Sequence, residues 1–278
     1  MQSVFPDKTI IIDSSSSDDT VKIAESYGLE VIQIDKKDFN HGDTRQLAFN
    51  KLNGFEIVVY FTQDAILSDK DSLKKIVTVF HDPSIGAAYG RQLPRDQAGV
   101  FEYYERYFNY PCHSLKKEFS DRNIYGVKTP FISNSFAAYR VKALQEVGGF
   151  PSDVIMAEDM YVAAKMLMAG WSVYYCADAT VYHSHDYSLK QLFSRYFDTG
   201  VFHNRERWIQ ENFGSAGGEG IKYIIKEMNY LWRNRPMLIP YSFIRNTVKW
   251  LGYHIGSNER VIPLRIKKIL SMHTSYWD

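Results

Sequence analysis

Residues 57–65 read Ile57-Val58-Val59-Tyr60-Phe61-Thr62-Gln63-Asp64-Ala65. An unbroken run of β-branched and aromatic residues, with no polar alternation, predicts a strand covered on both faces, as in the central sheet of an α/β protein. The run stops at Gln63-Asp64. A carboxylate at the carboxyl end of a parallel strand lies at the crevice where open α/β sheets bind ligands, and a hard oxygen there can hold a divalent cation beside a phosphate. An Asp ending a strand is equally an ordinary turn residue, so at this point both readings stand.

Upstream, residues 9–12 form a short strand with Asp13 at its end; 14–19 make a polar loop, 20–27 a helix closed by Gly28, and 29–34 the next strand. Strand, helix and strand within about 25 residues is a crossover unit, which builds parallel sheets. Residues 38–45, DFNHGDTR, open a helix that runs to about 52. With Thr44 and Arg45 in its first turn, this helix offers an anion backbone donors and one guanidinium. A cation there works against the helix dipole and so needs another reason to be present, although a solvated Arg on a polar face is the plain alternative.

Downstream, the pattern predicts a helix over 71–80, a strand over 85–89, the loop Gly90-Arg91-Gln92-Leu93-Pro94 and an aromatic-rich helix over 101–110. Residues 113–130 read as a mobile loop, and 133–140, SNSFAAYR, as a strand. After a turn at 148–151, Glu158-Asp159 begins a helix ending at Gly170. Acids in a first helical turn are stabilising in their own right, by about 0.3–1 kcal/mol. Residues 171–176 and 179–185 are extended. Residues two apart on a strand share a face, so His183 and His185 point the same way. They suit either a metal site or a solvated surface. A helix rich in Phe, Tyr and Arg follows over 188–213.

The glycine-rich stretch 214–218 is the clearest linker and divides the chain into a body, 1–213, and an extension, 214–278. Three helices are expected in the extension, over 221–232, 241–253 and 261–272. Residues 216–278 hold ten Lys or Arg and four Asp or Glu, a local charge of +6 in a chain whose total is +1. Basic amphipathic helices with aromatic belts suit peripheral contact with an anionic membrane, or form a helical cap with its basic side chains in water. A composition of 45% hydrophobic and 23% charged residues is that of an ordinary globular protein, and the small net charge gives no argument for nucleic acid. Two cysteines, Cys112 and Cys176, are too few for a disulfide framework and fit a reducing compartment. No apolar run reaches the ~18–20 residues of a membrane span, and MQSVFPDK is not a secretory signal. These features place the body in the cytoplasm, with the inner face of the cell membrane as the extension's expected contact.

Taken in order, these motifs resemble the family 2 glycosyltransferases of GT-A fold, in particular their rhamnosyltransferase-like branch, from about residue 8 to 204. IIIDSSSSDDT is similar to the family's base-binding strand and loop, which implies donor contacts for Asp13 and Ser14. DFNHGDTR resembles the next nucleotide-contacting segment, with Arg45. TQDA stands where the family carries its acidic metal-binding motif, implying Gln63 and Asp64 at the donor and Asp64 as a metal ligand. GRQLP, FNYP and SNSFAAYR look like signatures of that branch and make Arg91 and Asn134 further candidates. AEDM matches the family's ED motif, with Asp159 as base and Glu158 orienting it. VYHSH matches a late histidine segment in which His183 is a metal ligand and His185 an additional candidate.

The resemblance implies an α/β fold of GT-A (Rossmann-like) type, a mixed, mainly parallel sheet flanked by helices, with a C-terminal helical extension. It also implies inverting transfer of a sugar from a nucleotide-diphospho-sugar, with Mg2+ or Mn2+, to a hydroxyl of a glycan or lipid-linked acceptor. The preferred donor is dTDP-L-rhamnose and the alternative a UDP-hexose. Two departures stand out. Only residues 1–7 precede the IIIDSS strand, so the usual first strand and helix are expected to be missing. The acidic motif is QDA, with one acid in place of two, which implies a weaker hold on the metal. Competing classes are a metal-dependent hydrolase using the same Asp and His residues, and a truncated, non-catalytic sugar-nucleotide binder.

Overall fold

The computed structural model describes every residue except Met1, Asn53 and Ala216. In chain order its elements are β1 (Ile10–Asp13), α1 (Thr20–Ser26), β2 (Glu30–Gln33), α2 (His41–Leu52), β3 (Ile57–Phe61), β4 (Ile66–Leu67), α3 (Ser72–Thr78), β5 (Ile85–Leu93), α4 (Val100–Asn109) and β6 (Leu115–Lys117). There follow α5 (Arg122–Tyr125), β7 (Phe136–Arg140), α6 (Val141–Glu146), α7 (Glu158–Met168), β8 (Ser172–Tyr182), α8 (Leu189–Arg205), α9 (Arg207–Phe213), α10 (Gly217–Asn234), α11 (Ile239–Ser257) and α12 (Leu264–Leu270).

The sheet is mixed and flanked by helices, as expected. β1 and β2 pair in parallel as a two-stranded sheet, while a six-stranded sheet runs β3-β7-β5-β8-β4, with β6 also on β8. Among the described residues only β1–β2 and β5–β8 are parallel pairs; β7 enters between β3 and β5 in the reverse sense, and β4 and β6 also run against β8. Antiparallel pairing therefore has a larger share than the sequence implied. Apolar runs record burial but carry no sign of strand direction.

β3 is apolar on both faces because each face meets a different cluster. Val58 and Tyr60 join the main core, while Ile57 and Val59 pack against the smaller one around Ile76, Phe80 and Phe136. Tyr60, Tyr139 and Phe150 stack edge to face at 5.1–5.7 Å, and the Tyr60 hydroxyl donates to the Arg45 carbonyl at 3.0 Å, which ties α2 to β3. Among the described residues β3 pairs only with β7, so it borders the larger sheet rather than lying in its middle.

Three local expectations change. Residues 113–130 form β6 and α5 instead of a mobile loop. Lys117 on β6 is buried, and its Nζ donates to the carbonyls of Lys128 and Phe131 at 3.0 and 2.8 Å, which pins the segment down. The two extended stretches near Cys176 are one strand, β8, whose register on β5 slips where Cys176 faces Gly90 and Thr180 faces Arg91. The long helix expected over 188–213 breaks at Glu206 into α8 and α9.

Ala216 of the expected linker lies outside the described residues, and Gly217 and Gly218 already belong to α10. The C-terminal helices meet the body through α8. A Cβ on Gly256 would lie 2.0 Å from the Phe197 carbonyl oxygen, one on Gly200 2.2 Å from that of Tyr253, and one on Gly252 2.5 Å from that of Phe193. Only glycine lets α8 and α11 approach so closely. Arg205 bonds Glu259 at 3.1 Å and the Tyr276 hydroxyl at 2.8 Å, and Trp277 joins the main core.

This contact yields a stability prediction. Gly256→Ala forces backbone apart and should cost about 1–3 kcal/mol, read as a lowered midpoint of thermal unfolding. An unchanged midpoint would mean that α8 and α11 are not so closely packed.

Candidate active site

Two groups of polar side chains meet at the ends of β3, β5, β7 and β8. The first is built around Asn134, just before β7. Its backbone amide donates to Asp159 Oδ2 at 3.0 Å, its Nδ2 donates to Glu158 Oε1 at 3.1 Å, and its Oδ1 accepts from the Tyr139 hydroxyl at 2.7 Å. Glu158 is buried and pairs with Arg45 at 2.7 Å. Asp159 Oδ1 accepts from the Met160 amide at 2.8 Å, so each oxygen of this carboxylate is held by one backbone donor. Ala157, immediately before the pair, has φ 58°, a left-handed conformation unusual for alanine. That bend starts α7 with both acids turned into the site.

The adjacent carboxyls are driven apart in acidity. Burial pushes Asp159 up to about 7, and the neighbouring Glu158 charge adds to the shift. Burial would raise Glu158 as well and is the largest single influence, but the Arg45 guanidinium, His41 and the hydrogen bonds from the backbone and Asn134 together outweigh it and hold that carboxyl below the usual range. One acid is thus kept ionised while the other titrates near neutrality, an arrangement suited to a general base.

The second group is Asp64, His183 and His185, one ligand atom from each lying within 4.8 Å of the others. The Nε2 atoms of His183 and His185 lie 3.3 and 3.4 Å from Asp64 Oδ2. Gln92 donates through Nε2 to Ser133 Oγ at 2.9 Å, which turns its Oε1 toward His183 Nδ1, also at 2.9 Å. This assigns the proton to Nδ1 and leaves the Nε2 lone pair facing a carboxylate. Burial pushes His183 down to about 4, despite the attraction of Asp64, so an imidazolium does not fill the gap. Two acceptors at this distance are satisfied by a shared cation. The donor set fits a divalent ion, and two imidazoles with one carboxylate favour a first-row transition ion over Mg2+, which prefers oxygen ligands.

Ser133, Asn134 and Ser135 join the groups: Ser133 through Gln92, Asn134 through both acids, and Ser135 through a 3.4 Å contact to His183 Nε2. The structure thus brings together Asp64, His183 and His185, and separately Arg45, Asn134, Glu158 and Asp159. Arg45, expected at the donor, spends its charge on Glu158. Asp13 is buried, its Oδ2 accepting from the Ser16 amide at 3.0 Å; Ser14 is half-buried and Gln63 exposed. Arg91 is half-buried on β5, and its Nε has no partner among the described residues. None of these four is hydrogen-bonded to either group.

Several contributors lie outside the expected set. Gln92 and the two serines sit inside motifs already noted, but nothing in their spacing marks their partners. Arg95 donates to the Asp64 carbonyl. Arg195 on α8 lies 5.5 Å from the Tyr187 ring, and Tyr187 lies 5.3 Å from the His185 ring. With Arg106, whose charge also acts on both imidazoles, three guanidiniums flank the Asp64 group. His273, near the C-terminus, packs its ring 5.2 Å from that of His41, at the start of α2.

A family model described as glycosyltransferase like family 2 matches residues 2–208. The O-antigen chain rhamnosyltransferase RfbN of Salmonella typhimurium (strain LT2) is 46% identical over 278 residues, all of this chain and 88% of that protein. WbaN of Salmonella anatum, also an O-antigen chain rhamnosyltransferase, is 45% identical over 98% of this chain and 87% of that protein. Among solved structures, the mannosyltransferase PcManGT of Pyrobaculum calidifontis, in complex with GDP-Man and Mn2+, aligns with a TM-score of 0.59 at 16% identity, over 92% of this chain and 78% of that one. S. aureus TarS 1–349 aligns at 0.53 and 16% identity, over 98% and 76%. At these identities the structures speak for the fold alone.

The raised Asp159 acidity has a consequence for stability. Between the ordinary 3.8 of the unfolded chain and about 7 in the fold, the native state holds a proton that the unfolded state has lost. Stability from this group is full below that window and is withdrawn as pH rises through it. Relative to Asp159→Asn, the wild type should lose stability from about pH 4 to about pH 7 and no further above, in denaturant unfolding at a series of pH values. Parallel curves would contradict the shift.

Proposed function

The chain belongs to glycosyltransferase family 2, and we propose that it transfers L-rhamnose from dTDP-L-rhamnose, with inversion, to a hydroxyl of a lipid-linked glycan in O-antigen-type polysaccharide synthesis at the inner face of the cell membrane. The observation that carries the sugar and the process is the similarity, along the whole chain, to two proteins named O-antigen chain rhamnosyltransferases. The split carboxyl pair supports the chemistry.

Transfer has two needs: an alcohol must lose its proton as it attacks, and a diphosphate must leave with the bonding electrons. Asp159 is the base. Its carboxylate is aimed by the Asn134 and Met160 amides, and each oxygen keeps a lone pair for the acceptor hydroxyl. As the acceptor oxygen bonds to the anomeric carbon, its proton passes to Asp159 and the carbon–oxygen bond to the nucleoside diphosphate breaks. Glu158 stays ionised against Arg45 and Asn134, keeping Asp159 basic enough to accept that proton near neutral pH. Asp64, His183 and His185 would hold Mn2+, which supplies Lewis-acid charge to the departing diphosphate. Arg95 and Arg195 add positive charge beside it, and guanidinium is well matched to phosphate oxygens. Asp13 and Ser14 are assigned to the donor base, and Gln63 to the donor near Asp64.

The test is transfer from dTDP-L-rhamnose to a lipid-linked acceptor with Mn2+. Asp159→Asn should lower turnover by about 10²–10⁴-fold while donor affinity, measured by calorimetry, stays near that of the wild type. Retained turnover would remove Asp159 from the base role, and transfer only from UDP-hexoses would overturn the donor.

A further inference from the structure

Helix α11 is amphipathic in the reverse sense for a protein surface. Its buried positions are Ser242, Arg245, Lys249, Gly252 and Gly256. Its exposed positions include Phe243, Ile244, Trp250 and Leu251, and no exposed position of the helix carries Asp, Glu, Lys or Arg. A surface helix ordinarily turns its apolar stripe inward.

Most of the inward polar groups are satisfied within the protein, the Arg245 Nε alone among those named having no hydrogen-bond partner among the described residues. Glu227 of α10, also buried, accepts from the Ser242 hydroxyl and the Asn246 amide at 2.6 Å each, and from the Tyr223 hydroxyl at 3.0 Å. Lys249 bonds Glu105 of α4 at 2.9 Å, and Arg245 lies 4.5 Å over the Phe101 ring. Outside, α10 adds a stripe at helical spacing, Ile221, Ile225 and Trp232, and the turn between the helices adds Met237, 89% exposed. Trp232 and Trp250 are 74% and 57% exposed. So extended an apolar surface marks an interaction site.

Charge identifies the occupant. Exposed Arg233 and Arg235 stand before α11, and exposed Arg260 and Arg265 beyond it. Among the described residues of this region, Glu227 and Glu259 are buried, Glu219 is half-buried, and Asp278 is the sole exposed acid. A second copy of the same face would bring arginine rims toward each other. An anionic lipid surface meets both the apolar face and its basic ends. No helix among the described residues is long and apolar enough to cross a membrane, so α11 would lie in the interface, where 19 residues extend about 28 Å.

We infer that the outward face of α10 and α11 docks on an anionic phospholipid bilayer, with α11 lying in the plane of the interface. This deepens the lipid-linked acceptor reading, but vesicle binding is read without turnover, so either can fail alone. The full chain is mixed with phosphatidylcholine vesicles containing or lacking phosphatidylglycerol, and binding is followed by co-sedimentation and tryptophan emission. The anionic vesicles should bind it and shift the emission to the blue. Leu251→Glu should weaken partitioning by roughly tenfold or more at an unchanged unfolding midpoint, since Leu251 is exposed. Arg233→Gln with Arg235→Gln should reduce the preference for anionic lipid. Absence of binding by the wild type, or equal binding by Leu251→Glu, overturns the inference. So does a dimer in sedimentation velocity that Leu251→Glu dissociates, which would assign the face to a second copy.

Discussion

The burial of Glu158 is the constraint on which the rest of the site depends. An ionised carboxylate taken out of water needs a counter-charge and hydrogen bonds, and removing one partner of such a pair typically costs about 3–5 kcal/mol. Arg45 and Asn134 supply them from α2 and from the segment before β7. Three elements distant in sequence must therefore meet at one point. Tyr60 holds α2 in place through the Arg45 carbonyl, and Tyr139 holds Asn134. The left-handed Ala157 then turns the start of α7 so that Asp159, the proposed base, lies next to a carboxyl held below the usual range.

The same short segment governs the second half of the site. Because Ser133 and Ser135 flank Asn134, a shift of β7 that disturbed the acid pair would also disturb Gln92 and His183. The proposed base and His183, one of the proposed metal ligands, are thus positioned by one tripeptide. The C-terminal helices connect to this centre through α8, whose Arg195 reaches toward His185 by way of Tyr187.

Much of this was legible in the sequence where chemistry is local. The strand at Ile57–Phe61 could be read because both its faces are apolar, and Asp64, Glu158, Asp159, His183 and His185 because they stand at element ends in a recognisable order. What could not be read depends on pairs far apart in the chain. Nothing near Arg45 indicates Glu158 as its partner; by itself its first-turn position suggested an anion. Gln92 reads as one more polar residue in a strand until His183 is set beside it. Strand direction left no mark on composition, so the antiparallel entry of β7 was missed. The extension announced its basic and aromatic character, but the inversion of α11 became visible only once buried and exposed positions were told apart.

The central claim is that the Glu158 charge, held in place by Arg45, helps to set the acidity of the proposed base. The most direct measurement is the pH dependence of kcat/KM for Glu158→Gln beside the wild type. Glutamine keeps an oxygen for the Asn134 amide but removes the charge and leaves Arg45 to act on Asp159 unopposed. The account predicts a wild-type acid limb near pH 7 that moves to lower pH in the variant. An acid limb in the same place in both proteins would contradict it.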